Sequence, residues 1–143
     1  MPPFLIYMFI AISLTSGMML AGIRYINPST INVSNYIQEI ELSTSSLSSA
    51  VEGFSIAQGY QLPETEWKQT ISNYGSVPKL SFDSEWHYNT ENNDQYICIV
   101  SMDNKDIKKA FDRVVDKYPD EFSLTNECQD TPDSNTIALS TKI

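Results

Sequence analysis

The chain has 143 residues with 9 basic and 18 acidic side chains, a formal net charge of -9, two cysteines and one histidine. That length suits one ordinary domain, and the acid excess excludes a nucleic-acid binder, which needs a basic footprint to hold phosphates. Two cysteines and a lone His87 are too few for a dedicated zinc site, and any histidine-based triad would rest on His87 alone. No metal or other cofactor is expected.

Residues 4–23 carry no charged side chain, and their polar interruptions are the hydroxyls of Ser13, Thr15 and Ser16. A helix satisfies such hydroxyls against its own carbonyls, and a 20-residue helix reaches about 30 Å, the thickness of a bilayer core. A single membrane span is therefore expected, with residues 1–25 as the anchor and 26–143 as the domain. The competing reading is a cleaved secretory signal, which requires a basic start and small residues before the cut. Met1, Pro2 and Pro3 supply no basic side chain, and the position two before Ala21 is Met19.

Two rules oppose each other on orientation. Arg24 flanks the span on its C-terminal side, which by the positive-inside rule favours a cytoplasmic domain. Long domains cross largely regardless of charge, however, and a cysteine pair suits an oxidising compartment. The domain is expected outside the cytoplasm. Within the span Ser13, Gly17 and Ala21 recur every four residues, and such a small-residue face lets a second helix approach closely. The same spacing also arises by chance in a segment rich in small residues.

After a polar stretch at 27–32, in which Pro28 is expected to bar regular helix, an amphipathic helix is expected over residues 33–58. Val33, Ile37, Ile40, Thr44, Leu47, Val51 and Phe54 alternate spacings of four and three, a heptad stripe with one polar member. Serines crowd residues 43–49 and have only moderate helix propensity, so packing must supply much of the stability. The stripe has two uses. It covers the chain's own sheet, or it coils with a partner through residues such as Leu47 and Val51.

Beyond Gly59, Pro63 breaks the pattern, and Glu64 and Glu66 open a short helical turn toward Tyr74. Three alternating segments follow, at 77–82, 85–89 and 95–101, and read as an antiparallel meander. In the last, Tyr96, Cys98 and Val100 share one face and Ile97 and Ile99 the other, so this strand should be central. A second helix is marked by Asp103 as cap, by Ile107, Ala110, Phe111, Val114, Val115 and Tyr118 as its apolar stripe, and by Pro119 as its stop. Lys105, Lys108, Lys109 and Arg113 lie among acidic neighbours and read as a solvated face. A turn-rich linker at 129–135 and a terminal edge strand at 136–140 complete an α+β fold.

Cys98 and Cys128 have two readings. A disulfide between a strand and the end of the second helix would close about 30 residues and stabilise by roughly 3.5 kcal/mol in the chain-entropy model. Two unpaired small hydrophobes are expected instead if the domain is cytoplasmic. His87, between Trp86 and Tyr88, reads as a half-exposed strand residue rather than a general base, and no Gly-rich phosphate loop or calcium loop is present. Trp67, Trp86, Tyr60, Tyr74, Tyr88 and Tyr96 would line a groove or, more simply, form the core and its rim. An enzyme is not expected.

The order of a short N-terminal tail, one span, an amphipathic helix, a Leu62, Pro63 and Trp67 element, Tyr-bearing strands and a small C-terminal helix resembles the PilM family of type IVb (thin) pilus accessory proteins. That resemblance implies a small bitopic protein of the bacterial inner membrane, with its C-terminal domain in the periplasm, that helps build or anchor a pilus or related secretion or conjugation assembly. It carries over no catalytic residue. The expected role is non-enzymatic contact with the inner membrane and with other pilus-assembly or membrane proteins, the span also serving as a possible route to an oligomer. The alternative is a membrane-bound companion that stabilises or gates a transmembrane regulator. A pilin-like subunit ranks third, because prepilins place Glu five residues into the mature helix, whereas Gly22 follows Gly17 at that distance.

Overall fold

Residues 27–125, 128 and 135–143 of a computed structural model are described below. The expected anchor at residues 1–25 lies outside them, as do Ser13, Gly17, Ala21 and most of the linker at 129–135. Among the described residues no helix is long and apolar enough to cross a membrane. The chain divides into one unit of residues 1–32 and a second of residues 33–143.

Helix α1 runs Pro28–Gln58, five residues earlier than the apolar pattern marks. Pro28 does not bar the helix but opens it. At the first helical position its missing N–H would have had no partner in any case, and its fixed φ already matches. The Asn27 side chain accepts the Ser29 N–H at 3.1 Å. At the other end Gly59 takes φ 75° and donates its N–H to the Ser55 carbonyl at 2.9 Å, a left-handed stop open to glycine without penalty.

The heptad stripe faces inward. Val33, Ile40, Thr44, Leu47, Val51 and Phe54 are buried, joined by Ala50, and Ile37 is partly buried against them. A short helix α2, Trp67–Thr70, and a 3-10 turn, Ile71–Asn73, bring Trp67 and Ile71 into the same core.

Segment 77–82 is not a strand, although Leu80 and Phe82 are buried as its alternation suggests. Its backbone is engaged elsewhere, since the Ser81 N–H and Oγ donate to Glu39 Oε1 and Oε2 of α1, each at 2.5 Å. The sheet begins with β1, Ser84–Glu91, and β2, Asp94–Met102, joined by Asn92 and Asn93 at φ 52° and 72°. Two successive positive φ values make a turn whose twist suits a hairpin, and asparagine tolerates them better than most residues.

Helix α3, Lys105–Lys117, buries Ile107, Ala110, Phe111 and Val114. Its cap is Asn104, whose side chain accepts the Asp106 N–H at 2.9 Å, not Asp103, whose own N–H goes to the Asn135 carbonyl. A two-residue strand β3, Phe122–Ser123, and strand β4, Thr136–Lys142, complete an antiparallel sheet of order β1-β2-β4-β3. β2 is an interior strand, as its two apolar faces require. β4, expected at the edge, is also interior, and the chain is therefore not a simple meander. The fold is α+β, with Phe82 bridging α1 and α3 through ring contacts to Tyr36 and Phe111.

Candidate functional site

Alternation along β2 sends Ile97 and Ile99 into the core while Cys98 and Val100, also buried, lie on the opposite face. Cys98 is bonded there to Cys128, with Cα atoms 6.1 Å apart. Cys128 does not follow the second helix directly but lies in the connection between β3 and β4, which the turn-rich composition of that stretch hid. Its Sγ sits 3.9 Å from the carbonyl oxygens of His87 and Tyr96, over the β1–β2 pair. A second tie holds Thr125, whose carbonyl accepts from Ser140 Oγ on β4. Two points of the connection are thus fixed to two adjacent strands.

His87 lies on β1 directly opposite Cys98, partly exposed, with Nε2 3.8 Å from Glu85 Oε2. Among the described residues no three metal-ligating side chains converge. The Leu62, Pro63 and Trp67 element docks α2 on the sheet: Leu62 and Trp67 are buried, and the Trp67 ring lies 5.9 Å from that of Tyr88. The Tyr88 hydroxyl lies 3.0 Å from the Leu62 carbonyl and 2.8 Å from Gln95 Oε1. Burial first, and the nearby Glu64 charge second, push the Tyr88 phenol up to about 12. Glu64 itself is held below the ordinary carboxylate range by the Thr90 hydroxyl and N–H, both of which donate to its Oε1. Of the expected aromatic set, Trp67, Trp86 and Tyr88 are core, Tyr74 packs against it, and Tyr60 is exposed.

Leu47 and Val51, which the sequence offered either as cover for the chain's own sheet or as partner contacts, are both 0% exposed inside the domain. What α1 offers outward lies out of phase with the heptad stripe. Leu42 and Ile56 are 73% and 84% exposed, and Ser45, Ser49 and Glu52 continue the same seam between them. This outer seam escaped the sequence reading because only its two end members are apolar. Their separation of fourteen residues, two heptads, was the available signal.

At Ser45, Ser49 and Glu52 that seam borders a groove, across which α1 meets the C-terminal ends of α3 and β4. Lys117 Nζ of α3 reaches Glu41 Oε1 of α1 at 2.8 Å, and Lys142 Nζ of β4 reaches Asp94 Oδ2 at 2.6 Å. No protein-family model, no curated protein and no solved structure matches the chain.

Proposed function

We propose that the protein is a non-enzymatic, membrane-tethered component of the bacterial inner membrane, with its folded domain in the periplasm, that acts by contact in building a type IV pilus or a related assembly. The observation that carries this reading is the Cys98–Cys128 bond, because such bonds persist in oxidising compartments. The uncharged stretch at residues 4–23 supplies the tether. With the core stripe enclosed, the contacts fall to the span face at Ser13, Gly17 and Ala21 and to the outer seam of α1. The pilus assignment rests on the PilM resemblance.

The test is the size of the complex released by a mild detergent from membranes holding the full chain. Gly17→Leu should break down that complex while leaving the domain folded, because Leu forbids close helix approach. His87→Ala should leave it intact. A complex that survives Gly17→Leu and is lost in a folded His87→Ala protein would overturn the contact reading.

A further inference from the structure

We propose that the outer seam of α1 is a self-association face, on which a second copy of this chain lays its own α1 antiparallel, with the two-fold axis passing at Ser49. This rests on the contact reading and names the partner of the seam.

The ends of the seam are apolar. Leu42 and Ile56, at 73% and 84%, are the most exposed large hydrophobic side chains among the described residues, and both lie on this one helix. Fourteen residues of helix set them about 21 Å apart on one face, and covering both together removes apolar area from water. Between them Ser45, Ser46 and Ser49 are exposed and small, which lets a second helix come within the roughly 8–10 Å of ordinary helix packing. The order of these residues reads alike in both directions. Ser49 lies seven positions from Leu42 and seven from Ile56, so a two-fold axis there sets Leu42 of each copy against Ile56 of the other.

Charge selects this direction over the parallel one. Helix α1 carries Glu39, Glu41 and Glu52 and no basic side chain. In a parallel pair each Glu52 would meet Glu52 of the other copy, and like charges in contact repel. Antiparallel pairing moves Glu52 instead to the level of Ser46 in the second copy, three positions on the other side of the axis. A two-fold axis that reverses the helices also brings matching flanks together. Glu52 lines the same groove as Glu41 and Tyr118, and Lys117 Nζ reaches Glu41 on that flank at 2.8 Å. The Lys117 side chain is 54% exposed, and an ammonium has three donors, so each Glu52 approaches a cation of the other copy in place of an acid. Four turns of one helix cover less than the roughly 800 Å² per partner of a standard interface, so the pair is reversible, with a dissociation constant on the order of tens of micromolar.

The experiment is cross-linking of the full chain in non-ionic detergent, above that concentration, in a Gly17→Leu background that removes close approach of the spans. Leu42→Cys and Ile56→Cys are made separately, both at exposed positions that should fold, while Cys98 and Cys128 are already bonded to each other. A bis-maleimide too short to bridge about 21 Å should join the two variants when they are mixed and should join neither to itself. By sedimentation equilibrium Leu42→Ser should weaken the pair about tenfold, and Leu124→Ser, half exposed but off the seam, should leave it within about twofold. Each variant cross-linking to itself would show a parallel pair and overturn the proposal, as would an equal loss in Leu124→Ser. Monomeric sedimentation with no product in the mixture also overturns it, even if Leu42→Cys is joined to a different protein in membranes. If the membrane-derived complex still breaks down on Gly17→Leu in that case, the contact reading stands without the seam.

Discussion

Gly75 packs directly on Ala50 of α1: a Cβ added at Gly75 would come within 2.7 Å of the Ala50 Cβ. Real side chains do not approach so closely, so Gly75→Ala must push the turn after the 3-10 segment away from α1. A loss of about 1–3 kcal/mol is expected, the usual cost of overpacking. Gly53 is the internal control. A Cβ there would make an ordinary 4.0 Å contact with Tyr74 Cδ1, and an alanine within α1 should stabilise by about 0.5–1 kcal/mol. Urea denaturation of the two variants should therefore shift in opposite directions.

Leu42 and Leu47 separate the two faces of α1. Leu47 is fully buried, so Leu47→Ala should cost about 2–5 kcal/mol, whereas Leu42→Ala should change stability by less than about 0.5 kcal/mol. Equal losses in thermal or chemical unfolding would show that the outer seam is also part of a packed core.

The fold was legible where periodicity and burial agree. The stripe from Val33 to Phe54 repeats with the helix, and β2 is apolar on both faces, so helix and central strand follow from pattern alone. Pro28 misled because the residue that breaks a helix interior is favoured at its first position. Residues 77–82 alternate like a strand, but Glu39, 42 residues earlier than Ser81, takes the backbone donor, and no local pattern encodes that bond. β4 reads as an edge because the strand that covers it, Phe122–Ser123, is too short to leave a periodic signal. Of the candidate site, the cysteine pair was legible by count. The outer seam left only Leu42 and Ile56 as apolar marks, and the groove it borders depends on the distant Tyr118, Glu121 and Phe122.

Two groups at the α2–β1 junction give stability a pH signature at each end. Glu64 is held below its ordinary range, so its contribution is present above the unfolded carboxylate value and is lost as pH falls through the depressed one. Thr90→Val, which removes the first-named donor, should therefore be less stable than the natural chain at neutral pH and should converge with it in acid. The Tyr88 phenol is raised to about 12, so its contribution is full below about 10 and is lost as pH rises from there through 12. Ultraviolet titration should show one tyrosine ionising well after the ordinary ones, and Tyr88→Phe should abolish that late step.

Cys98→Ala with Cys128→Ala removes a bond across a sequence separation of 30, and an unfolding-stability loss of about 3.5 kcal/mol is expected. Because the bond lies on the sheet face away from the α1 core, the far-ultraviolet spectrum of the folded double variant should stay unchanged. A large loss of helix signal would mean that the β3–β4 connection organises more of the domain than its two ties indicate.

The central claim, a disulfide-bonded domain held outside the cytoplasm, is tested most directly by thiol labelling of the full chain in intact spheroplasts with a membrane-impermeant maleimide. No label should enter without reductant, and both Cys98 and Cys128 should be labelled once a membrane-impermeant reductant is added. Free thiols that react only after the membrane is permeabilised would put the domain in the cytoplasm, unbonded, and contradict the account.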